Sequence, residues 1–218
     1  AGIREAIVRR EQALAVWQKL GDRYWEGRTL DRLAGAHNAL NENNKAIEYI
    51  ERALLIVRES GDKTLEAATL NGIGSMQNGF GEHEIAIRYH EQALGMFLKE
   101  KNMIGVMTSR NALGNAYSGQ KDYVAARKSY EESLSIAIRE KNRNFEATGY
   151  WFQGTVFEFQ NEQNKALEKF NQALTVWKEL GNQVGVGLAL LRIGTIQSAK
   201  GETESAMANL NEALTKFK

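Results

Sequence analysis

The sequence predicts an all-α protein, a solenoid built from antiparallel helix pairs with about eleven helices. Three observations predict this class: a 40-residue unit repeats without insertion or deletion, proline is absent from the 218 residues, and apolar residues recur at helical spacing. The repeat is clearest in two columns, alanine at 46, 86, 126, 166 and 206 and leucine at 14, 54, 94, 134, 174 and 214. A unit of this size can bury its apolar face only by stacking on its neighbours, so the units must form a linear array.

Breaks in the helical pattern divide each unit into two helices. The break inside a unit falls at Asn41, Gly81, Lys121, Asn161 and Gly201, and the break between units at Gly21, Gly61, Lys101, Lys141 and Gly181. At the breaks inside the units, Gly and Asn favour the left-handed conformation that ends a helix, and Lys121 departs from that preference. The residue after each break between units is Asp or Asn, whose side chain can cap the next helix.

These breaks predict helices at residues 3–20, 23–40, 43–60 and so on to 203–217. We therefore expect one solenoid domain over residues 1–218. It would contain an unpaired N-terminal helix at 3–20 and five repeats, at 23–60, 63–100, 103–140, 143–180 and 183–217. Because the array begins in mid-repeat, we expect the chain to be a piece of a longer protein from which flanking repeats are missing.

Small residues mark the places where helices must approach closely. One column of the first helices holds Ala34, Gly74, Gly114, Gly154 and Gly194. A glycine inside a helix costs about 0.5 to 1 kcal/mol relative to alanine, so four of them at one spacing indicate a packing requirement. A phosphate-binding glycine loop is disfavoured, because no strand precedes these glycines and no Gly-Lys-Ser/Thr follows them.

The composition excludes several classes of partner. Lys and Arg number 28 against 27 Asp and Glu, so the net charge of +1 provides no basic field for nucleic acid. No apolar run is long enough to span a bilayer, and residues 1–10 lack the apolar core of a signal peptide, so we expect no membrane partner. The absence of cysteine suits a reducing compartment, and we predict a cytoplasmic location.

The sequence does not support a catalytic site or a metal site. His37 and His90 occupy columns otherwise filled by aromatic residues, which predicts packed rings. His83 and His90 could share a face, but no third ligand accompanies them and zinc needs at least three from the protein. No nucleophile, base and orienting group recur together. We therefore expect no catalytic residues, no metal site, no cofactor and no enzymatic activity.

The pattern of apolar and small residues resembles that of the tetratricopeptide repeat (TPR) family over nearly the whole chain. The residues that carry this resemblance are Leu70, Ile73, Gly74, Ala86 and Ala93; Leu113, Gly114, Tyr117, Ala126 and Tyr130; and Tyr150, Gly154, Phe157, Ala166, Phe170 and Ala173. The standard repeat has 34 residues and ends near a proline, whereas each unit here has six more and no proline. This pattern is similar to the long-helix variety in kinesin light chains, Pins-type spindle adaptors and bacterial signalling proteins. HEAT repeats have a similar length, but their usual first-helix proline is missing.

The resemblance implies a right-handed superhelix whose first helices line a concave groove. Carried onto this sequence, the candidate ligand contacts are Arg28, Arg32, Asn71, Asn78, Asn111, Asn115, Trp151 and Arg192. Asn71 and Asn111 lie one repeat apart, and their amides could bond the backbone of an extended peptide; equally, they could be ordinary exposed polar residues. The arginines could bind acidic groups or be solvated surface, and Trp151 could anchor an apolar side chain or pack on the next unit.

We expect a non-catalytic scaffold or adaptor that binds a protein, as a peptide or a helix, in this groove. The arginines would suit an acidic ligand. Two alternatives remain open at this point. The chain could form a homo-oligomer through open solenoid ends, or it could be the sensor or regulatory arm of a larger multidomain signalling protein.

Overall fold

The structure is a computed structural model, and it describes residues 2–217. Eleven helices account for most of these residues, which include no strand, and this confirms the predicted fold class. The helices are α1 Gly2–Leu20, α2 Arg23–Ala39, α3 Asn43–Ser60, α4 Lys63–Gly79, α5 His83–Lys99, α6 Met103–Gly119, α7 Tyr123–Arg139, α8 Arg143–Phe159, α9 Gln163–Glu179, α10 Gln183–Ala199 and α11 Thr203–Lys216. Their ends lie within one residue of the predicted ends.

Every connection between helices contains one residue with positive φ. Five of these residues are glycines, and the other five are Asn41, Lys101, Lys121, Lys141 and Asn161. A left-handed residue ends a helix and reverses the chain within two or three residues, so consecutive helices pack side by side. The three lysines adopt a conformation that is unfavourable for a residue with a Cβ atom.

Side-chain caps occur at every boundary between predicted repeats. The Oδ1 atoms of Asp22, Asp62, Asn102, Asn142 and Asn182 each accept a hydrogen bond from the backbone N–H three residues later, at 2.9 to 3.2 Å. This confirms the predicted caps. Inside the repeats only Asp122 forms such a bond, because the equivalent residues are glutamates that make no side-chain cap.

The chain divides into two compact units, one ending at Ala112 and the other beginning at Leu113. In the first unit, Leu30, Leu33, Ala53 and Ile56 form a core with residues of α1. In the second unit, Val176, Trp177, Val186 and Leu190 form one cluster, and Phe170 packs with Ile193 and Ile196 in another. The expectation of one solenoid domain remains a prediction.

The glycine column lies where a ring or side chain of the second helix meets the first helix. A Cβ atom built on Gly74 would lie 2.7 Å from the ring of His90, and one on Gly114 would lie 2.4 Å from the ring of Tyr130. A Cβ atom built on Gly154 would lie 2.7 Å from the ring of Phe170. These distances are too short for any side chain, which confirms the packing explanation for the glycines.

None of the helices that the structure describes combines the length and apolar character needed to cross a membrane.

Candidate functional site

A cavity of about 390 Å³ opens on the surface of the first unit, between α4 and α6. These are the first helices of the second and third repeats. The residues that line the cavity share one property, the absence of charge. They are Thr64, Ala68, Asn71, Gly72, Ser75, Phe97, Asn102, Ile104, Gly105, Thr108 and Ala112. We call this space the α4–α6 cavity. Five of the lining residues come from α4 and four from α6, so the repeat itself places them together.

Asn71 lies at the inner side of the α4–α6 cavity and is only 7% exposed. Its Oδ1 atom is 2.6 Å from Nδ1 of His90. Because an amide oxygen can only accept, Nδ1 of His90 carries the proton and donates this hydrogen bond. His90 is 1% exposed, and burial lowers its pKa to about 4. His90 is consequently neutral near pH 7 and holds the Asn71 amide in one orientation.

Asn111 occupies the equivalent place on α6, although it does not line the α4–α6 cavity. It is 6% exposed, and its Oδ1 atom has no hydrogen-bond partner among the described residues. Neither Asn71 nor Asn111 is thus an ordinary exposed polar residue. A buried acceptor without a partner costs about 1 to 3 kcal/mol.

Phe97 and Asn102 line the cavity but were not predicted as site residues. The ring of Phe97 is buried against Gly105, where an added Cβ atom would lie 2.3 Å from it. The side chain of Asn102 caps α6 by accepting from the N–H of Gly105. The sequence does contain a signal for this contact, because a glycine follows the bulky ring by eight residues both at Phe97 and at Trp177.

The other predicted contacts of the first unit lie outside this lining. Nδ1 of His83 is 2.6 Å from the Oδ1 atom of Asn78, so this asparagine is bonded within the chain. Arg28 and Arg32 lie on α2 on either side of Asp31. Asp31 reaches the surface, but desolvation by the groups around it raises the pKa of its carboxyl, and the positive charges of the two arginines oppose that rise. The arginines therefore already have a carboxylate neighbour.

In the second unit, two of the predicted contacts have polar partners within the chain. Asn115 accepts a hydrogen bond of 2.6 Å from the hydroxyl of Tyr130, and Arg192 lies 3.6 Å from the carboxylate of Glu158. Trp151 is half-buried and packs against the apolar clusters of this unit. This position agrees with the second interpretation of the sequence, in which Trp151 packs on the next unit.

The histidines are packed or half-buried side chains. His37 is buried, stacks on Tyr49 and lies 2.6 Å from the carboxylate of Glu42, which has a lowered pKa because of this bond. Across residues 2–217 no three His, Cys, Asp or Glu side chains gather in a group that could hold a metal ion.

Three solved structures with high similarity share this fold. BtubC (BKLC) from P. vanneervenii aligns with a TM-score of 0.81 and 17% identity, over 99% of this chain and 91% of that one. Repeats of a kinesin light chain from Podosopora anserina align with a TM-score of 0.66 and 14% identity, over 87% and 93%. A Rap protein solved with Competence and Sporulation Factor aligns with a TM-score of 0.77 and 14% identity, over 89% and 54%. The chain thus spans about half the length of that Rap protein.

No curated protein matches the chain significantly in sequence. A family model described as "Tetratricopeptide repeat" matches residues 27–99 and 105–179. These two segments include more than half of the chain, and they contain the residues that carry the resemblance to this family. The chain belongs to the tetratricopeptide repeat family.

Proposed function

We propose that this chain is a non-catalytic protein-interaction module that binds an extended peptide, part of which occupies the α4–α6 cavity. The observation that carries the proposal is the cavity itself, which is open, uncharged and lined by a buried asparagine. Binding sites commonly combine apolar walls with a few fixed polar groups. Here Phe97 and Ile104 provide apolar surface, and Asn71 provides a fixed amide.

The hydrogen bond to His90 determines what Asn71 can offer a ligand. Because the Oδ1 atom accepts from His90, the Nδ2 group keeps its two N–H donors for a peptide carbonyl. The amide needs little reorganisation on binding, since its orientation is already fixed. One repeat further on, a peptide N–H that reached the unpaired Oδ1 atom of Asn111 would remove the cost of that acceptor.

The chemistry of the lining favours an uncharged segment of the peptide at this position. A charged side chain would lose hydration in the cavity without gaining a partner of opposite charge. The Rap protein of similar fold was solved with Competence and Sporulation Factor, so a chain with this fold can hold such a factor. That likeness supports a binding role and does not identify the ligand of this protein.

A cavity-filling substitution tests the proposal. Peptides would first be selected from a random peptide library with the wild-type chain, and their affinities would then be measured by fluorescence polarisation. Ser75 is exposed and lines the cavity, so Ser75→Trp should weaken binding about tenfold or more by occupying the space.

Thr195→Trp is the matched control. Thr195 is exposed at the equivalent position of α10 in the second unit, and its substitution should leave the affinity unchanged. If no peptide is selected, or if Ser75→Trp binds as tightly as the wild type, the proposed function is wrong.

A further inference from the structure

A charged contact occurs in the first and fourth repeats, where the first and second helices of the repeat meet. In the first pair, Arg23 at the start of α2 bonds to Glu26 of its own helix at 2.8 Å and to Glu59 near the end of α3. In the fourth pair, Arg143 of α8 makes the same two bonds, to Glu146 at 2.7 Å and to Glu179 of α9. In both pairs, the guanidinium of the first helix is thus bonded to a carboxylate of the second helix that lies 36 residues later in the sequence.

In the second pair this arrangement is incomplete. Lys63 takes the place of the arginine and donates a hydrogen bond of 2.9 Å to Glu66. The residue 36 positions later is Lys99, so a second cation stands where the first and fourth pairs have a glutamate. Within the described chain, no carboxylate lies within ion-pair distance of Lys99. The carboxylate that joins the two helices in the first and fourth pairs is therefore missing here.

A cavity of about 400 Å³ lies at this place in the first unit, lined by Lys63, Glu66, Met96, Lys99 and Glu100. Glu66 is already shared between Lys63 and the Nε atom of Arg58, 3.0 Å away. These bonds lower the pKa of Glu66, which is ionised near pH 7. The lining carries two positive charges, on Lys63 and Lys99, and two negative charges, on Glu66 and Glu100. Because Glu66 is used by Lys63 and Arg58, Lys99 is left as a cation of the lining without a carboxylate partner among the described residues.

We propose that this cavity binds a carboxylate, supplied by an acidic side chain of a partner polypeptide, between Lys63 and Lys99. The incoming carboxylate occupies the place that Glu59 and Glu179 fill in the first and fourth pairs. The chain itself shows that a cation at the start of the first helix binds a carboxylate from outside that helix. Glu100 rims the same cavity and limits it to one anionic group.

The test uses the ¹⁵N-labelled chain and a short peptide, Ac-Ala-Glu-Ala-NH₂, at low ionic strength. Low salt is required because exposed charges are screened strongly. Saturable shifts are expected for the amide signals of residues 63–66 and 96–100, with a dissociation constant in the millimolar range. The neutral peptide Ac-Ala-Gln-Ala-NH₂ should cause no such shifts. Equal shifts with both peptides would overturn the proposal.

Inorganic phosphate at the same ionic strength distinguishes the two anion classes. If phosphate saturates the same signals more tightly than the glutamate peptide does, the assignment to a carboxylate of a polypeptide is wrong. If the glutamate peptide binds more tightly, the assignment holds.

A charge reversal inside the cavity gives the second test. Lys99→Glu supplies the carboxylate from the chain itself, so it should weaken binding of the glutamate peptide about fivefold or more. Arg88→Glu is the control, because Arg88 is exposed on the same helix outside the cavity and the change in net charge is equal. Equal losses in the two variants, or no loss in Lys99→Glu, would refute a site between Lys63 and Lys99.

Discussion

Asn71 and His90 form a hydrogen-bonded pair that links the α4–α6 cavity to the buried interior of the first unit. The bond spans 2.6 Å between residues 19 positions apart on α4 and α5. Asn71 faces the cavity, while His90 packs against Gly74, so one pair contributes both to a surface and to a core. Substitutions at Asn71 should therefore change stability as well as binding.

Asn71→Ala should lower the free energy of unfolding by about 1 to 3 kcal/mol, because it leaves the Nδ1 proton of buried His90 without an acceptor. Urea unfolding followed by circular dichroism measures this loss. Asn144→Ala provides the control, since Asn144 is exposed on α8 and should tolerate the change within about 0.5 kcal/mol. A matching small loss at Asn71 would show that the bond contributes little.

The stability of the protein should fall in mild acid because of His90. Its pKa is about 4 in the folded chain and near 6.5 when the side chain is exposed. Between these two values the unfolded chain binds a proton that the folded chain excludes, so the free energy of unfolding decreases as the pH falls. The contribution of this one group is about 1.4 kcal/mol per pH unit, and it vanishes above pH 6.5.

The comparison variant for this pH dependence is His90→Phe, because Phe170 fills the equivalent place against Gly154. Urea unfolding of both proteins between pH 7 and pH 4.5 measures the slope. The wild type should lose stability more steeply than the variant as the pH falls. Parallel curves would mean that the pKa of His90 is the same in the folded and unfolded chains.

Two glycine-to-alanine substitutions should have opposite effects. In Gly114→Ala the new methyl group would lie 2.4 Å from the buried ring of Tyr130, which predicts a loss of about 1 to 3 kcal/mol. Gly95 lies inside α5 with nothing within 4 Å, so Gly95→Ala should gain about 0.5 to 1 kcal/mol. Thermal unfolding monitored by circular dichroism measures both. Effects of the same sign would contradict the packing assigned to the glycine column.

Lys121→Gly should stabilise the protein by about 1 kcal/mol, because Lys121 has a φ of 63° at the connection between α6 and α7. Lys128→Gly, within α7, should instead cost about 1 kcal/mol through lost helix propensity. Chemical unfolding of the two variants gives both values. A loss at Lys121 would indicate that its side chain makes a contact worth more than the relief of the backbone.

The helices could be predicted closely because their ends depend on local chemistry. Asp22 and Asn102 cap the helix that follows each of them within three residues, and Gly61 ends α3 by its own conformation. Each signal lies within a few residues of its effect, so no knowledge of tertiary contacts was needed. The repeat then supplied the remaining boundaries.

The contacts of the site residues were less accessible from sequence. Asn71 was singled out from the sequence as a candidate contact, but its bond to His90 depends on how two helices rotate against each other. The same limitation applies to Trp151. Its two interpretations, ligand contact and packing on the next unit, differ only in the direction of the ring. The incomplete pair at Lys63 and Lys99 was visible in the repeat columns, although its meaning required the bonds that Arg23 and Arg143 make elsewhere.

The left-handed residue at every connection has a kinetic consequence. Because each one reverses the chain within a few residues, the helix pairs in extensive contact are sequential neighbours. Native contacts then join residues close in sequence, and forming them costs little loop-closure entropy. Topologies of this low contact order fold rapidly, and a lesion in one hairpin affects mainly the hairpins beside it.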